Sequence, residues 1–478
     1  MDAKNRLAEI KRVIDLSTRN NADELLKIER MWKGRLKVYP VYEIPLSLLV
    51  YNKYNGRILS RTKSLEAQEK EIDVSTKEGD EIIAKLLWES KESANKSTLA
   101  DLEKYGQKEV AMITSDGVIV DGNRRTMLLN RINKYDYLKT IVLPVSSTDD
   151  PLEIERLETS FQMGSDEKLS YNPVEKYLKS KTLVEKLTNG IDSISKDDAI
   201  KKIAEWMQES KTDIKFYLDV MQTMDDYLEY LEYDNLYIQL DRKEEQFRDL
   251  TRWIETYKSG ESGKAFDGYT TSDVDDLKCL SFDFIRSDYE GKEFRNIAKG
   301  QKGSHFFGNE EIWRDFVNQW TSITNNVVLP SPDFSSSNLK AHLDNIDQQF
   351  KNQVKQEFAD IVREALTTLH RKKDKDKPFK TLKHIKNDIN SLNLSSKSLS
   401  DIDKKTNIDS AKSISSEFIK KISNHSVSDA LDVIISSLKE IDLSLDNITR
   451  LDRVNQKESV EERLKSVKKI LFDISKKI

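Results

Sequence analysis

The 478-residue chain carries 78 Lys and Arg against 83 Asp and Glu, a formal net charge of −5, which excludes a strongly basic nucleic-acid coat protein. Apolar residues make up 37%, below the roughly 45–50% of ordinary domains, yet 16 Phe, 17 Tyr and 6 Trp are far more than a disordered chain carries, so a folded protein with a large wet surface is expected. The single cysteine, Cys279, excludes an internal disulfide framework and a multi-cysteine zinc site, while the absence of a secretory-type start and of any apolar run near ~18–20 residues predicts a soluble, cytoplasmic protein without membrane contact.

Five of the eight prolines lie in the first 173 residues, none falls between Pro173 and Pro330, and no glycine follows Gly308. Because these residues punctuate turns and break helices, the expected fold class is α+β, a mixed α/β front followed by a mostly α-helical remainder. All five histidines follow residue 304, so front-domain chemistry has no imidazole and neither a His triad nor a His-metal site. In chain order, apolar spacing predicts an amphipathic helix over 5–32 and a strand at 36–39. An extended segment over 41–49 follows, then a turn at Asn52, Asn55 and Gly56 ending on Arg57. Residues 61–95 read as mostly helical, Ser97–Leu102 as a short capped helix closed at Gly106, and 110–114 with 118–120 as a hairpin around Ser115-Asp116-Gly117.

The second hairpin strand runs into Asp121-Gly122-Asn123-Arg124-Arg125-Thr126, and a helix continues from Met127. A glycine at a strand-to-helix junction frees the backbone to turn, and the first amides of the new helix point outward unpaired. With two arginines in that turn, the segment reads either as an anion site for phosphates or as an arginine pair salt-bridged to acidic neighbours on a solvated helix start. A catalytic role, as base or metal ligand, would need a carboxylate near this turn: Asp121 and Asp116 are available by sequence proximity and Glu43 and Glu158 more loosely, Asp121 being otherwise a helix N-terminal cap.

The order of segments resembles the amino-terminal domain of the ParB/Spo0J chromosome-partition family and its wider ParB/sulfiredoxin-like superfamily. Ile44-Pro45, Asn52, Asn55 and Arg57 resemble that family's opening box; Gly122-Asn123-Arg124-Arg125 resembles its Gly-Glu-Arg-Arg box; Gln162 with Asn172-Pro173-Val174-Glu175 resembles the third. The resemblance spans about residues 38–180 and rests on three boxes in order. It implies a phosphate- or nucleotide-binding site formed by Arg57, Gly122, Asn123, Arg124, Arg125, Thr126 and Gln162, taking a nucleoside triphosphate such as CTP or ATP, with Mg2+ on Glu158 or Glu155 only by a shift of helix register. The departures are specific. Asn123 replaces the glutamate of the second box, and Thr159 to Met163 lack the acidic residue, asparagine and arginine of the third, so phosphate binding survives the changes better than CTP specificity or magnesium-dependent hydrolysis. A sulfiredoxin reaction is excluded, since position 123 is not cysteine.

Residues 195–219 are similar to the family's helix-turn-helix, with the turn near Gln208–Ser210 and with Ser210, Lys211, Thr212 and Lys215 facing DNA. This segment holds five lysines against six acidic residues, whereas a helix laid on phosphates is usually basic, so a purely structural three-helix unit is the competing reading.

Further along, tyrosine-rich helices are expected over 220–258. A loop-rich region with seven glycines follows over 260–308, where His305, Phe306 and Phe307 either form a stacking surface or pack on Ile312, Trp313 and Phe316. After the break at Pro330–Pro332 a helix is expected from near Ser337. Residues 371–386 hold eight Lys/Arg and two acidic residues, reading as a backbone-tracking patch or as a solvated linker. At the end, two apolar stripes, from Leu431 to Ile448 and from Val460 to Ile478, predict a helical hairpin or bundle that also offers a homodimer surface over 431–478. The expected layout is thus an amino-terminal helix (1–35), a ParB-like nucleotide/phosphate-binding domain (36–180), a helix-turn-helix-like domain (181–258), a loop-rich region (259–335) and a helical carboxyl-terminal module (336–478). The functional expectation is a ParB-like, nucleotide-regulated DNA-binding protein of plasmid, phage-related or bacterial-defence biology, with proteins of the same operon as further partners. An NTP-hydrolysing or DNA-cleaving enzyme and a non-catalytic scaffold are the two alternatives.

Overall fold

The computed structural model describes residues 1–391 except 22–23, 69–70, 133, 164–171, 190–192, 290 and 337; the side chains of 20–21, 162–163 and 374–391 are also outside the description. Residues Met1–Lys377 form one compact unit and Pro378–Ile478 a second. The predicted stripes over 431–478 lie outside the described residues.

The chain opens with helix α1 (Ala3–Asn21), but the helix expected to reach residue 32 ends there. Lys27–Trp32 is instead strand β1, paired antiparallel with β2 (Arg35–Pro40) through the two-residue turn Lys33-Gly34, both at positive φ. The periodicity over Leu25–Trp32 is two rather than 3.6: Ile28, Arg30 and Trp32 turn inward while Lys27, Glu29 and Met31 face solvent.

Strand β3 (Tyr42–Pro45) precedes three helices, α2 (Leu59–Glu66), α3 (Lys77–Ser90) and α4 (Glu92–Tyr105). The predicted closure of α4 at Gly106 is present, with φ +71. Next come the expected hairpin, β4 (Ala111–Ile113) and β5 (Ile119–Asp121), then helix α5 (Asn123–Ile132) and β6 (Tyr137–Val142). The sheet runs β3-β6-β4-β5, with β4 parallel to β6 and the other pairs antiparallel. Strand alternation sends Ile113, Ile119 and Leu138 to a core shared with α3, α4 and α5, and Met112, Val120 and Ile141 to a core shared with Trp32 and helix α6 (Pro151–Met163).

Helix α7 (Pro173–Asn189) leads into α8 (Lys196–Met207) and α9 (Lys211–Tyr230), joined where Gln208 adopts a left-handed conformation, at the expected turn. Helices α10 (Glu244–Tyr257), α11 (Thr271–Arg286), α12 (Gly291–Phe294), α13 (Glu310–Thr324) and α14 (Leu339–Ser391) complete the described fold.

In this half the expected loop-rich region is partly helical, and of the two readings of the His305-Phe306-Phe307 segment the packed one is found. The stretch 260–308 is not simply a loop surface: α11 runs through it, and His305, Phe306 and Phe307 are buried, with Phe307 edge-on to Trp313 at 4.8 Å and Phe306 against Phe316 at 5.0 Å. Burial pushes the His305 imidazole down to about 4, so it is a neutral core residue. Residues 371–386, read as a patch or a linker, are helical, within α14, and the division between the two compact units falls inside them. Among the described residues no helix is long and apolar enough to cross a membrane.

Candidate functional site

The opening and second boxes meet in space, and Glu175 of the third reaches the helix that follows the opening box. Gly122 turns β5 into α5 with φ +117, a conformation that L side chains rarely adopt, and a Cβ there would stand 2.9 Å from the Ala111 Cβ. Gly122→Ala is therefore expected to destabilise the protein by about 1–3 kcal/mol, read as a lower urea midpoint; an unchanged midpoint would refute the steric argument. Asn123 opens α5 as a buried tie. Its Oδ1 accepts the Asn52 amide at 2.9 Å and its Nδ2 donates to the Ile119 carbonyl at 3.2 Å, which locks the opening box onto the second. The third box closes on the first at Glu175, whose carboxylate accepts the Ser60 amide at 2.9 Å and the Ser60 hydroxyl at 2.6 Å at the start of α2.

The two arginines do not act as one group. Arg124 reaches toward α4, where its Nη2 donates to the Ala94 carbonyl at 2.6 Å and the Thr98 hydroxyl at 2.9 Å, and its Nε to Asn95 Oδ1. Burial, then Arg57 and Arg125, pull the Arg124 guanidinium down to about 10. Burial, then Arg57 and Arg124, also depress the Lys91 ammonium. Arg57 and Arg124 thus stand close enough to Lys91 to repel it, a partly desolvated group of positive charges at the α5 amino terminus.

Arg125 points elsewhere. It lines a cavity of about 380 Å³ with Asp121, Glu109, Arg30, Ser160 and Phe161. Burial lowers its pKa while Asp121 and Glu109 raise it, and its Nη1 is buried without a hydrogen-bond partner among the described residues. Arg125 thus lies in the field of Asp121 and Glu109, and Arg124 is hydrogen-bonded to Ala94, Asn95 and Thr98 of α4. Asp121 shares the cavity with Arg125. Thr126 is buried, and its amide donates to the Gly122 carbonyl at 2.8 Å. The Gln162 side chain lies outside the described residues.

Glu158 is engaged at both oxygens. Oε1 accepts the Gly56 amide at 3.1 Å and Asn55 Nδ2 at 3.3 Å, and Oε2 accepts the Lys179 ammonium at 2.8 Å. Glu155, one turn earlier in α6, accepts Lys179 at 3.0 Å on Oε1 and Lys186 on Oε2. The two lysines hold the Glu155 carboxyl at about 2 against its burial, the carboxylates hold Lys179 charged well above its ordinary range, and burial pushes Glu158 upward. Asp116 is equally committed, accepting from Thr114 at 2.6 Å and from Ser147 at 2.7 and 2.8 Å.

In the helix-turn-helix, Ser210 is the α9 cap: its hydroxyl accepts the Asp213 amide at 3.0 Å, and Asp213 answers the Ser210 amide. Lys211, Thr212 and Lys215 are exposed, as expected, but both lysines face Asp197 of α8, at 3.8 and 3.4 Å.

The sequence reading missed Lys91, Asn95 and Lys179. The available signal was the stripe Glu175, Lys179, Thr182 and Lys186 at spacings of 4, 3 and 4, which puts lysines on the inner face of α7 opposite the Glu155/Glu158 pair of α6.

No family model and no curated protein matches the sequence. Among solved structures, the chain is similar to a Pnob8-like ParB-N domain, at 12% identity and a TM-score of 0.33 over 59% of this chain and 97% of that one. It is also similar to the C-terminally truncated chromosome-partitioning protein ParB from Caulobacter crescentus, complexed to the centromeric parS site, at 14% identity and a TM-score of 0.27 over 54% of this chain and 97% of that one.

Proposed function

We propose that this chain is a ParB-like DNA-binding protein of a plasmid, phage-related or bacterial-defence system, regulated by a nucleotide whose phosphates sit on Arg57, Lys91, Arg124 and the first amides of α5. The observation that carries the reading is that positive cluster: Arg57 and Arg124 both repel Lys91 and Arg57 also repels Arg124, so an anion there would be stabilised, and a helix amino terminus favours negative charge beside it. The capped α8–turn–α9 unit would be the DNA contact, through Thr212 and through Lys211 and Lys215 once they exchange Asp197 for phosphate.

Calorimetry with CTP, ATP and GTP, combined with DNA anisotropy at low salt, tests both halves. One nucleotide should bind, and Arg57→Ala or Arg124→Lys should weaken it at least about tenfold, the cost of roughly one charge-assisted contact. Lys211→Ala with Lys215→Ala should lower DNA affinity and reduce the salt slope by about 2. Failure to bind any of the three nucleotides would overturn the first half; a DNA affinity indifferent to the lysine pair would overturn the second.

A further inference from the structure

The resemblance implies Mg2+, for which Glu158 and Glu155 are the substitute ligands at hand, but the donor set there does not fit a divalent cation. All four oxygens of Glu155 and Glu158 are already used, by Lys179, Lys186, the Gly56 amide and Asn55. Two carboxylates and two ammonium groups balance to zero, and Lys179 is only about 2% exposed. Among the described residues no group of three or more His, Cys, Asp or Glu is placed to hold a metal. A divalent ion entering beside Glu158 would meet the Lys179 ammonium at contact range in a desolvated setting and give the cluster an uncompensated charge of +2.

We propose that Lys179 is a built-in replacement for the divalent cation: it neutralises the Glu155/Glu158 pair and fixes the Asn55-Gly56-Arg57 turn, so that the neighbouring anion site works without metal. The mechanical link is short. Glu158 holds the Gly56 amide, Asn55 Oδ1 accepts the Arg57 amide at 3.1 Å, and Arg57 stands in the positive cluster with Arg124. The metal's two tasks, charge balance and positioning of the turn, are thereby performed by one side chain from α7. The part of this inference that concerns anion binding rests on the proposed function; the part that concerns metal exclusion does not.

Two measurements on the full chain separate them. In Mn2+ titrations followed by electron paramagnetic resonance, the wild-type protein should show no Mn2+ binding that Glu158→Gln weakens, whereas Lys179→Met should create a site that the added Glu158→Gln removes. One stoichiometric wild-type Mn2+ site weakened tenfold or more by Glu158→Gln would overturn the proposal, and this comparison needs only the folded wild type and a near-isosteric variant. Calorimetry with CTP and ATP in EDTA and in MgCl2 supplies the second arm. An affinity equal within about twofold supports the proposal, and a tenfold or greater loss in EDTA overturns it. Absence of nucleotide binding under both conditions defeats the proposed nucleotide regulation, while the Mn2+ result still decides whether Lys179 excludes metal.

Discussion

Lys179→Ala should cost the protein about 3–5 kcal/mol, because it leaves two carboxylates buried against a single remaining cation. Glu158 is only 2% exposed, and its Oε2 would lose the ammonium at 2.8 Å in a setting closed to solvent. Lys186 reaches Glu155 but gives no hydrogen bond to Glu158, so the loss cannot be shared. The combination Lys179→Met, Glu155→Gln and Glu158→Gln should instead be close to neutral. It removes the charges together, and the amide carbonyl oxygen that Glu158→Gln leaves in place of Oε1 can still accept the Gly56 amide. Urea denaturation of the three proteins measures the contrast. A single variant that loses less than about 1 kcal/mol, or a triple variant as damaged as the single, would show that the lysine is not the charge partner on which this core depends.

That cluster also shows where sequence reading stops. Elements with a local cause were legible: the strand-to-helix turn needs Gly122 and the α4 closure needs Gly106, whereas the caps Ser195 and Ser210 of the helix-turn-helix were not read as caps. The splitting of Arg124 from Arg125 was not legible, because consecutive helical residues point about 100° apart and only the position of α4 on one side and of the Glu109/Asp121 cavity on the other assigns each its partner. The β1–β2 hairpin was missed because a few apolar residues after a helical run fit both periods, and the Lys33-Gly34 turn is what breaks the tie. Lys179 was missed for a related reason. A lysine in a helix is by default a solvated residue, and although the α7 stripe places it on one face with Glu175, its burial follows from the position of α6.

Stability should fall as pH rises from about 4.5 to 7 through Glu175, whose carboxyl is pushed up to about 7, chiefly by burial and against the lowering effect of Ser60 and Arg61. A carboxyl raised in the folded state binds its proton more tightly there than in the unfolded chain. Its contribution is therefore fully present below the unfolded value and is lost as pH climbs through the folded one. The span from an ordinary 4.5 to about 7 corresponds to about 3 kcal/mol. Other groups titrate in the same window. Asp283, raised to about 6, adds to the slope, while His305, depressed to about 4, opposes it, because stability from a neutral buried imidazole is lost as pH falls. The informative quantity is thus the difference between wild type and Glu175→Gln. The glutamine keeps an acceptor for Ser60 but has no proton to lose, so urea midpoints of the variant should decline less over this range and exceed those of wild type near pH 8. Parallel curves would show that Glu175 is already ionised at low pH, with Arg61 at 3.7 Å compensating its burial. Because Glu175 anchors the start of α2, immediately after Arg57, the same titration should loosen the opening box, and amide exchange at Ser60 and Arg61 should quicken between pH 5 and 7 beyond the intrinsic pH dependence seen in the glutamine variant.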